Sequence, residues 1–278
     1  MTGTVRSRRR WWLIIALLIA AAVAAYPIAL VVKHMIGSAV GPTTVAHNAD
    51  GTERTIFWRD YPGVAGIDPQ ETLDGPSPEQ ALETGRKMIA EIRSALSAEL
   101  QLEWATDYDP SGTGGPLVRH VSNGFGGTSL LSVVNGTESQ STSVPETWAG
   151  KQRAVDIIGD VADKYGFGEP AFDDLAAWSD EDRVRDLGGR TPDQQVIVSG
   201  MVPGPAGQWL SFRFQDLSKD TDGRLEERLR PPAGSGWQLN TVALSYGANG
   251  LLAEEDRAAF ESRLRPFLGL TPPAPLES

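Results

Sequence analysis

Gln195-Val-Ile-Val-Ser-Gly-Met-Val202, Pro203-Gly-Pro-Ala-Gly207 and Gln208-Trp-Leu-Ser-Phe-Arg-Phe-Gln215 read in order as strand, turn and strand. In the second strand Leu210, Phe212 and Phe214 alternate with Ser211, Arg213 and Gln215. Successive side chains of a strand point to opposite faces, so this alternation predicts one face turned inward and one outward. Trp209 falls on the outer face, opposite Phe212. A platform for sugar stacking or a partner could use such a ring, and ordinary packing under a helix accounts for it as well.

Other strands extend the pattern. Leu100 to Tyr108 and Leu117 to Asn123 flank a turn, Asp109-Pro-Ser-Gly-Thr-Gly-Gly-Pro116, and are expected to form a second hairpin. Leu130 to Val134 is expected to join the same sheet, and Trp237 to Tyr246 to make another long strand. Residues 172–192 and 217–236 read as polar connections.

Three helices separate these strands. Ser77-Pro78-Glu79-Gln80 combines an N-cap Ser, a Pro at the first helical position and a Gln three residues after the cap. Ala81, Leu82, Gly85, Met88, Ile89, Ile92, Ala95, Leu96 and Leu100 then keep helical spacing, which predicts an amphipathic helix of about six turns. A second helix is expected from Pro145 to Tyr165, stopped by Gly166. A third covers Glu254 to Phe267, with Phe260, Leu264, Phe267 and Leu268 inward. The order contains hairpins and no strand–helix–strand alternation. The expected class is α+β, an antiparallel sheet with helices packed on one face.

The N-terminal part has a different character. Trp11 to Val32 is a run of 22 residues without a charge, directly after Arg8-Arg9-Arg10. As a helix it would span roughly 33 Å, enough to cross a hydrocarbon core of about 30 Å. Arg6, Arg8, Arg9 and Arg10 predict a cytoplasmic N-terminus, and Trp11, Trp12 and Lys33-His34 suit the two interfaces. A cleaved signal peptide is the second reading, because Ala22-Val23-Ala24 has the form of a cleavage site. Cleavage there would leave Tyr26 to Val32 as an apolar new terminus, which favours a retained anchor. Pro27 is expected to kink the helix.

Composition narrows the chemistry. The 278 residues contain no cysteine, which excludes disulfides, lipid attachment through a thiol, thiolate metal sites and a cysteine nucleophile. The chain carries 25 Lys+Arg against 36 Asp+Glu. Five of the basic residues and no acidic one lie in residues 1–34, so the remainder has a net charge of −16. Such a surface repels nucleic acid and anionic head groups. Arginine outnumbers lysine 20 to 5 beside 30 Gly and 19 Pro, a bias that a GC-rich coding sequence produces.

No catalytic or cofactor motif stands out, and no cofactor or metal is implied. The three histidines are His34 at the membrane edge, His47, and His120 on a predicted strand. No Ser occupies a G-x-S-x-G elbow. Asp216 to Gly223 invites a calcium loop, but placing Gly223 at position six puts Leu229 at position twelve, where a carboxylate is required. A turn or helix cap explains Asp220-Thr-Asp-Gly223 better. Asp173-Asp174 and Asp180-Glu181-Asp182 read as loop and cap residues. Asp107 and Asp109, beside Trp104 and Tyr108, are the carboxylate pair to test for glycosidase chemistry. The glycines at 112, 114 and 115, and at 124, 126 and 127, lack the strand-to-helix setting and Lys of a phosphate loop and read as turns.

Ile89-Ala-Glu-Ile-Arg-Ser-Ala-Leu96, the segment containing Trp104, Arg153-Ala-Val155 and Asp163-Lys-Tyr-Gly-Phe167 together resemble LppA-type surface lipoproteins of actinobacteria, over about residues 77–215. That resemblance implies an envelope-attached protein and no activity. The chain departs from the pattern in having no lipidated cysteine and no cysteine pair in its domain.

The expected organisation is a basic cytoplasmic tail (1–10), a transmembrane anchor (11–36), a stalk (37–76), an extracytoplasmic α+β domain (77–268) and a disordered tail (269–278). Thr55 to Trp58 is expected to dock on the domain as a short strand, since Ile56, Phe57 and Trp58 are costly to expose. The corresponding function is a binding or assembly module of the bacterial cell envelope. Its partners would be the lipid bilayer and an envelope protein or cell-wall component. A carboxylate-dependent envelope hydrolase is the alternative. Catalytic and binding residues stay unassigned at this level.

Overall fold

The structure is a computed structural model; it describes residues 41–47, 50–105, 117–232 and 234–276, with the backbone alone for 117–119. In chain order the strands are β1 (Thr43–His47), β2 (Glu53–Phe57), β3 (Leu117–Ser122), β4 (Thr128–Asn135), β5 (Ser139–Gln140), β6 (Ala171–Phe172), β7 (Ile197–Pro203), β8 (Gln208–Gln215) and β9 (Thr241–Leu252). The α-helices are α1 (Pro69–Asp74), α2 (Pro78–Leu100), α3 (Trp148–Asp163), α4 (Asp180–Leu187), α5 (Arg224–Leu229) and α6 (Arg257–Leu264).

The fold is α+β. Seven strands form one sheet in the order β3-β4-β9-β8-β7-β6, with β5 also on β9, and every pairing is antiparallel. The hairpin read from Gln195 to Gln215 is β7–β8. Ile197 pairs with Gln215 and Pro203 with Trp209. Leu210, Phe212 and Phe214 are buried, and they face Tyr246, Leu244 and Val242 of β9.

The α2 and α3 helices cover that face. The Ser77 hydroxyl accepts from Gln80 N–H, and the Gln80 side chain accepts from Ser77 N–H, closing the capping box. Ala81, Met88, Ile92 and Leu96 descend one side of α2 into the core, where Ala154, Ile157, Ile158 and Val161 of α3 meet them. Each large apolar side chain so buried contributes about 1.5–3 kcal/mol relative to exposure. Gly85 lets the helix backbone reach the Tyr246 ring, since a Cβ there would lie 2.4 Å from it. Among the described residues one ion pair is sealed inside. Lys151 Nζ, in the first turn of α3, sits 2.8 Å from Asp216 Oδ2 at the end of β8, with both side chains at most 2% exposed.

Several expectations need correction. The stalk over 37–76 is not a stalk where the structure describes it: β1 and β2 form a hairpin, a 3₁₀ turn spans Trp58–Asp60, and α1 follows. Ile56, Trp58 and Tyr61 are buried in a second core with Phe125, Leu131, Leu252, Phe260, Leu264 and Phe267. The closely spaced Gly and Pro residues break periodicity without preventing the aromatic residues between them from packing. The strand over Leu100 to Tyr108 does not form in its described part. Helix α2 continues to Leu100, Gln101 closes it in the left-handed region (φ 56°), and Trp104 makes only a single bridge to Ser141. The partner of β3 is therefore β4.

The strand from Trp237 starts at Thr241 and runs on to Leu252, and the two polar connections contain β6, α4 and α5. The tail expected to be disordered returns to the body through Leu276 N–H, which donates to Gly124 O at 2.9 Å, and through Leu270 against the second core.

Candidate functional site

The second core contains four rings linked by five contacts, in which Trp58 and Tyr61 touch each other and both Phe125 and Phe267. Trp58 lies 5.7 Å from Tyr61, 5.3 Å from Phe125 and 5.1 Å from Phe267, centroid to centroid. Tyr61 meets Phe125 and Phe267 edge-on at 5.9 and 5.3 Å. Tilted and edge-on contacts at these separations add about 0.5–1.5 kcal/mol per pair beyond area burial. The rings come from separate parts of the chain. Trp58 and Tyr61 bracket the 3₁₀ turn after β2, Phe125 sits in the β3–β4 turn, and Phe267 follows α6.

Asn123 joins these parts. Its amide nitrogen donates to the carbonyls of Trp58, Arg59 and Tyr61, and its amide oxygen accepts from Phe125 and Gly127 N–H. Gly127 is required beside it, because a Cβ there would lie 1.7 Å from Arg59 O. Backbone bonds from Ala65 N–H to Asn123 O (3.0 Å) and from Leu130 N–H to Pro62 O (2.8 Å) complete the join.

Between the rings, the loop to α1 and the chain after α6 lies a cavity of about 370 Å³. Trp58, Tyr61, Ile67, Phe125, Leu268 and Leu270 supply apolar wall. The size falls in the range of small-molecule sites, and an apolar lining with few polar groups is their usual character. Tyr61 and Asp68 provide the ionisable groups. Burial, with the Asp68 charge second, pushes the Tyr61 hydroxyl above its ordinary value of 10.0, which keeps it a neutral donor at physiological pH. Asp68 is occupied as the N-cap of α1, accepting from Gln70 N–H at 2.7 Å. The Trp58 indole N–H is also committed, to Thr44 Oγ1 at 2.8 Å. The arrangement suits an apolar or aromatic group held by rings and aliphatic side chains.

Two other cavities have different linings. One of about 230 Å³ is bordered by Arg185, Arg224 and Arg228, whose guanidinium groups pair with Asp186, Asp222 and Asp186 respectively. The other, of about 530 Å³, is an open recess between Glu71 to Pro76 and Gly204 to Gly207.

The residues singled out from sequence do not converge. Asp107, Tyr108 and Asp109 lie outside the described residues, as does His34. His120 is exposed on β3, and His47 is exposed on β1, 3.9 Å from Glu53. Asp216 is buried on Lys151, Asp220 accepts from Glu226 N–H, and Asp222 pairs with Arg224. Asp174 caps Ala176 N–H, and Asp180, Glu181 and Asp182 occupy the first turn of α4 behind its Ser179 cap. Among the described residues no three His, Asp or Glu side chains gather as a metal-holding group. Trp209 lies on the outer sheet face against Gly247, where a Cβ would come within 2.2 Å of its ring. Gly124 and Gly126 take positive φ in the β3–β4 turn.

The ring cluster was missed as a unit. Trp58-Arg-Asp-Tyr61 carried its only local signal, two aromatics three residues apart in a stretch otherwise rich in turns. Comparisons with family models, with curated proteins and with solved structures find no match for this chain.

Proposed function

We propose that the chain is a membrane-tethered binding module of the bacterial cell envelope, its domain outside the cell, with the aromatic cavity as its ligand site. The cavity carries this reading. It joins four rings and an aliphatic wall to a neutral hydroxyl donor, which is the chemistry of binding. The tether rests on the charge-free run Trp11 to Val32 and the arginines before it. Among the described residues no helix is long and apolar enough to cross a membrane, and the run itself lies outside them.

A carboxylate-dependent hydrolase needs a general acid with a raised pKa. Among the described residues, which do not include Asp107 and Asp109, the carboxylates whose ionisation is displaced move the other way. Asp50, Glu91, Asp182, Asp186 and Asp222 are held below their usual range, chiefly by hydrogen bonds from Thr52, Lys164, Ser179, Arg185 and the Arg224 backbone respectively.

The test is a photo-crosslinking amino acid placed at Leu270, on the cavity wall, in the full-length protein in its own membrane. A matched probe at the exposed Asp193 serves as control. A defined adduct at 270 and not at 193 is the expected result. Identical adducts at both positions, or none at 270, would remove the cavity from the account.

A further inference from the structure

Leu268, Gly269 and Leu270 line the aromatic cavity just after α6, and Pro272 lines it again two residues on. Leu268, expected inward from helical spacing, is 63% exposed, because α6 ends at Leu264 and a 3₁₀ turn over Arg265–Phe267 redirects the chain. The chain then reaches another wall. Leu276 N–H donates to Gly124 O at 2.9 Å, next to Phe125. A Cβ at Gly124 would lie 3.6 Å from Pro275 Cβ and 2.8 Å from Ala65 Cβ, and Ala65 also borders the cavity. Residues 271–276 therefore run from the Phe267 side of the cavity to the side formed by Ala65 and Phe125.

The composition of this stretch makes it stiff. In Thr271-Pro-Pro-Ala-Pro-Leu276 three residues are prolines, which fix φ and carry no N–H. Six residues in the extended proline conformation span roughly 19 Å, at about 3.1 Å each. That is longer than a cavity of about 370 Å³ is wide. A hinge precedes the stiff part: Gly269 takes φ 77°, with open space around the position of its absent Cβ.

Its attachment is light. All of 271–276 except Pro273 is exposed. Among the described residues, the backbone bond that fastens the stretch is the one from Leu276 to Gly124. Segments with few buried contacts and solvent-facing backbone bonds open at small free-energy cost, far below that of unfolding the domain. A stiff segment with a hinge at one end and a single fastener at the other lifts as a unit. When such a segment covers a binding cavity, its opening governs entry and release.

We propose that residues 271–276 are a hinged strap over the aromatic cavity, pivoting at Gly269, fastened through Leu276 to Gly124, and admitting the ligand when it lifts. Closed, it adds Pro272 to the wall and keeps water from the rings. The proposal rests on the reading of this cavity as the ligand site.

The absence of native cysteine makes a direct test available. Leu264 lines the cavity and is 6% exposed. The Leu264→Cys variant is labelled with a charged, membrane-impermeant thiol reagent, both in the full chain and in a chain ended at Leu270. Val64→Cys, on the same wall and closer in size to the native residue, repeats the measurement if the first variant folds poorly. Val155→Cys, in the principal core, reports any general loosening of the domain. Ending the chain at Leu270 should speed labelling at 264 by about tenfold or more and leave 155 unchanged. Equal rates at 264 in the two chains, or the same acceleration at 155, would overturn the strap. Adding indole, a small neutral aromatic, separates this from the cavity's own role: it should slow labelling at 264 in the shortened chain. Acceleration at 264 with no protection by indole would support the strap and count against the cavity as an aromatic site.

Discussion

Asn123 donates its side-chain amide to the carbonyl of Trp58, 65 residues earlier in the chain, at 3.1 Å in a fully buried setting. The same nitrogen serves Arg59 O and Tyr61 O, so two N–H groups are shared among three acceptors. Replacing Asn123 by Ala strands buried backbone groups, and each costs about 1–3 kcal/mol. Asn123→Asp should be worse than Ala, since a carboxylate would face three carbonyl oxygens. Urea unfolding of the two variants measures the order. An Asn123→Asp variant as stable as the native protein would refute the bonding scheme.

Lys151 and Asp216 pose a separate problem. A buried pair gains little over apolar residues, yet loses heavily when one partner is removed. Lys151→Met alone is expected to cost about 3–5 kcal/mol, because it leaves a carboxylate uncompensated. Combining it with Asp216→Asn, which keeps an acceptor for Ser218 N–H and removes the charge, should recover much of that loss. Additive losses in the double mutant would argue against direct coupling.

At Gly85 two effects oppose one another. Alanine is favoured over glycine inside a helix by about 1 kcal/mol. A Cβ at 2.4 Å from the Tyr246 ring is overpacking, at about 1–3 kcal/mol. Tyr246 is 2% exposed and its ring cannot retreat, so the clash should win and Gly85→Ala should lower the unfolding midpoint.

Tyr246 also predicts a pH dependence. Burial holds its hydroxyl well above the ordinary value of 10.0, and the group donates to Gln208 Oε1 at 2.9 Å. The unfolded chain ionises first, so this contribution is whole below pH 10 and falls as pH rises from there toward the folded value. Tyr246→Phe should be less stable at neutral pH, by about 1–3 kcal/mol for the stranded Gln208 oxygen, and should lose less stability between about pH 10 and 12. Parallel alkaline losses in the two proteins would assign the effect to other groups.

The sheet hairpin and the principal helices were legible because their signals are local. Alternation at Leu210, Phe212 and Phe214 and the cap at Ser77 act within a few residues. The ring cluster was not legible, because its parts meet from residues 58, 61, 125 and 267, and no periodicity links those positions. Turn-rich composition around residues 41–76 read as a stalk for the same reason: Asn123, which ties it down, is remote in sequence. The β3 partner was misread because helical spacing ends at Leu100 while apolar residues continue through Leu102 and Trp104, which pack beneath the helix end.

The most direct test of the binding account is native mass spectrometry of the full-length protein taken from its own membrane, beside an Ala65→Phe variant. Ala65 lies on the cavity wall, and the larger side chain is placed there to obstruct it. The account predicts a bound small molecule on the native protein that is absent from the variant, with both proteins folded by circular dichroism. The same bound mass on both, or none on either, would contradict it.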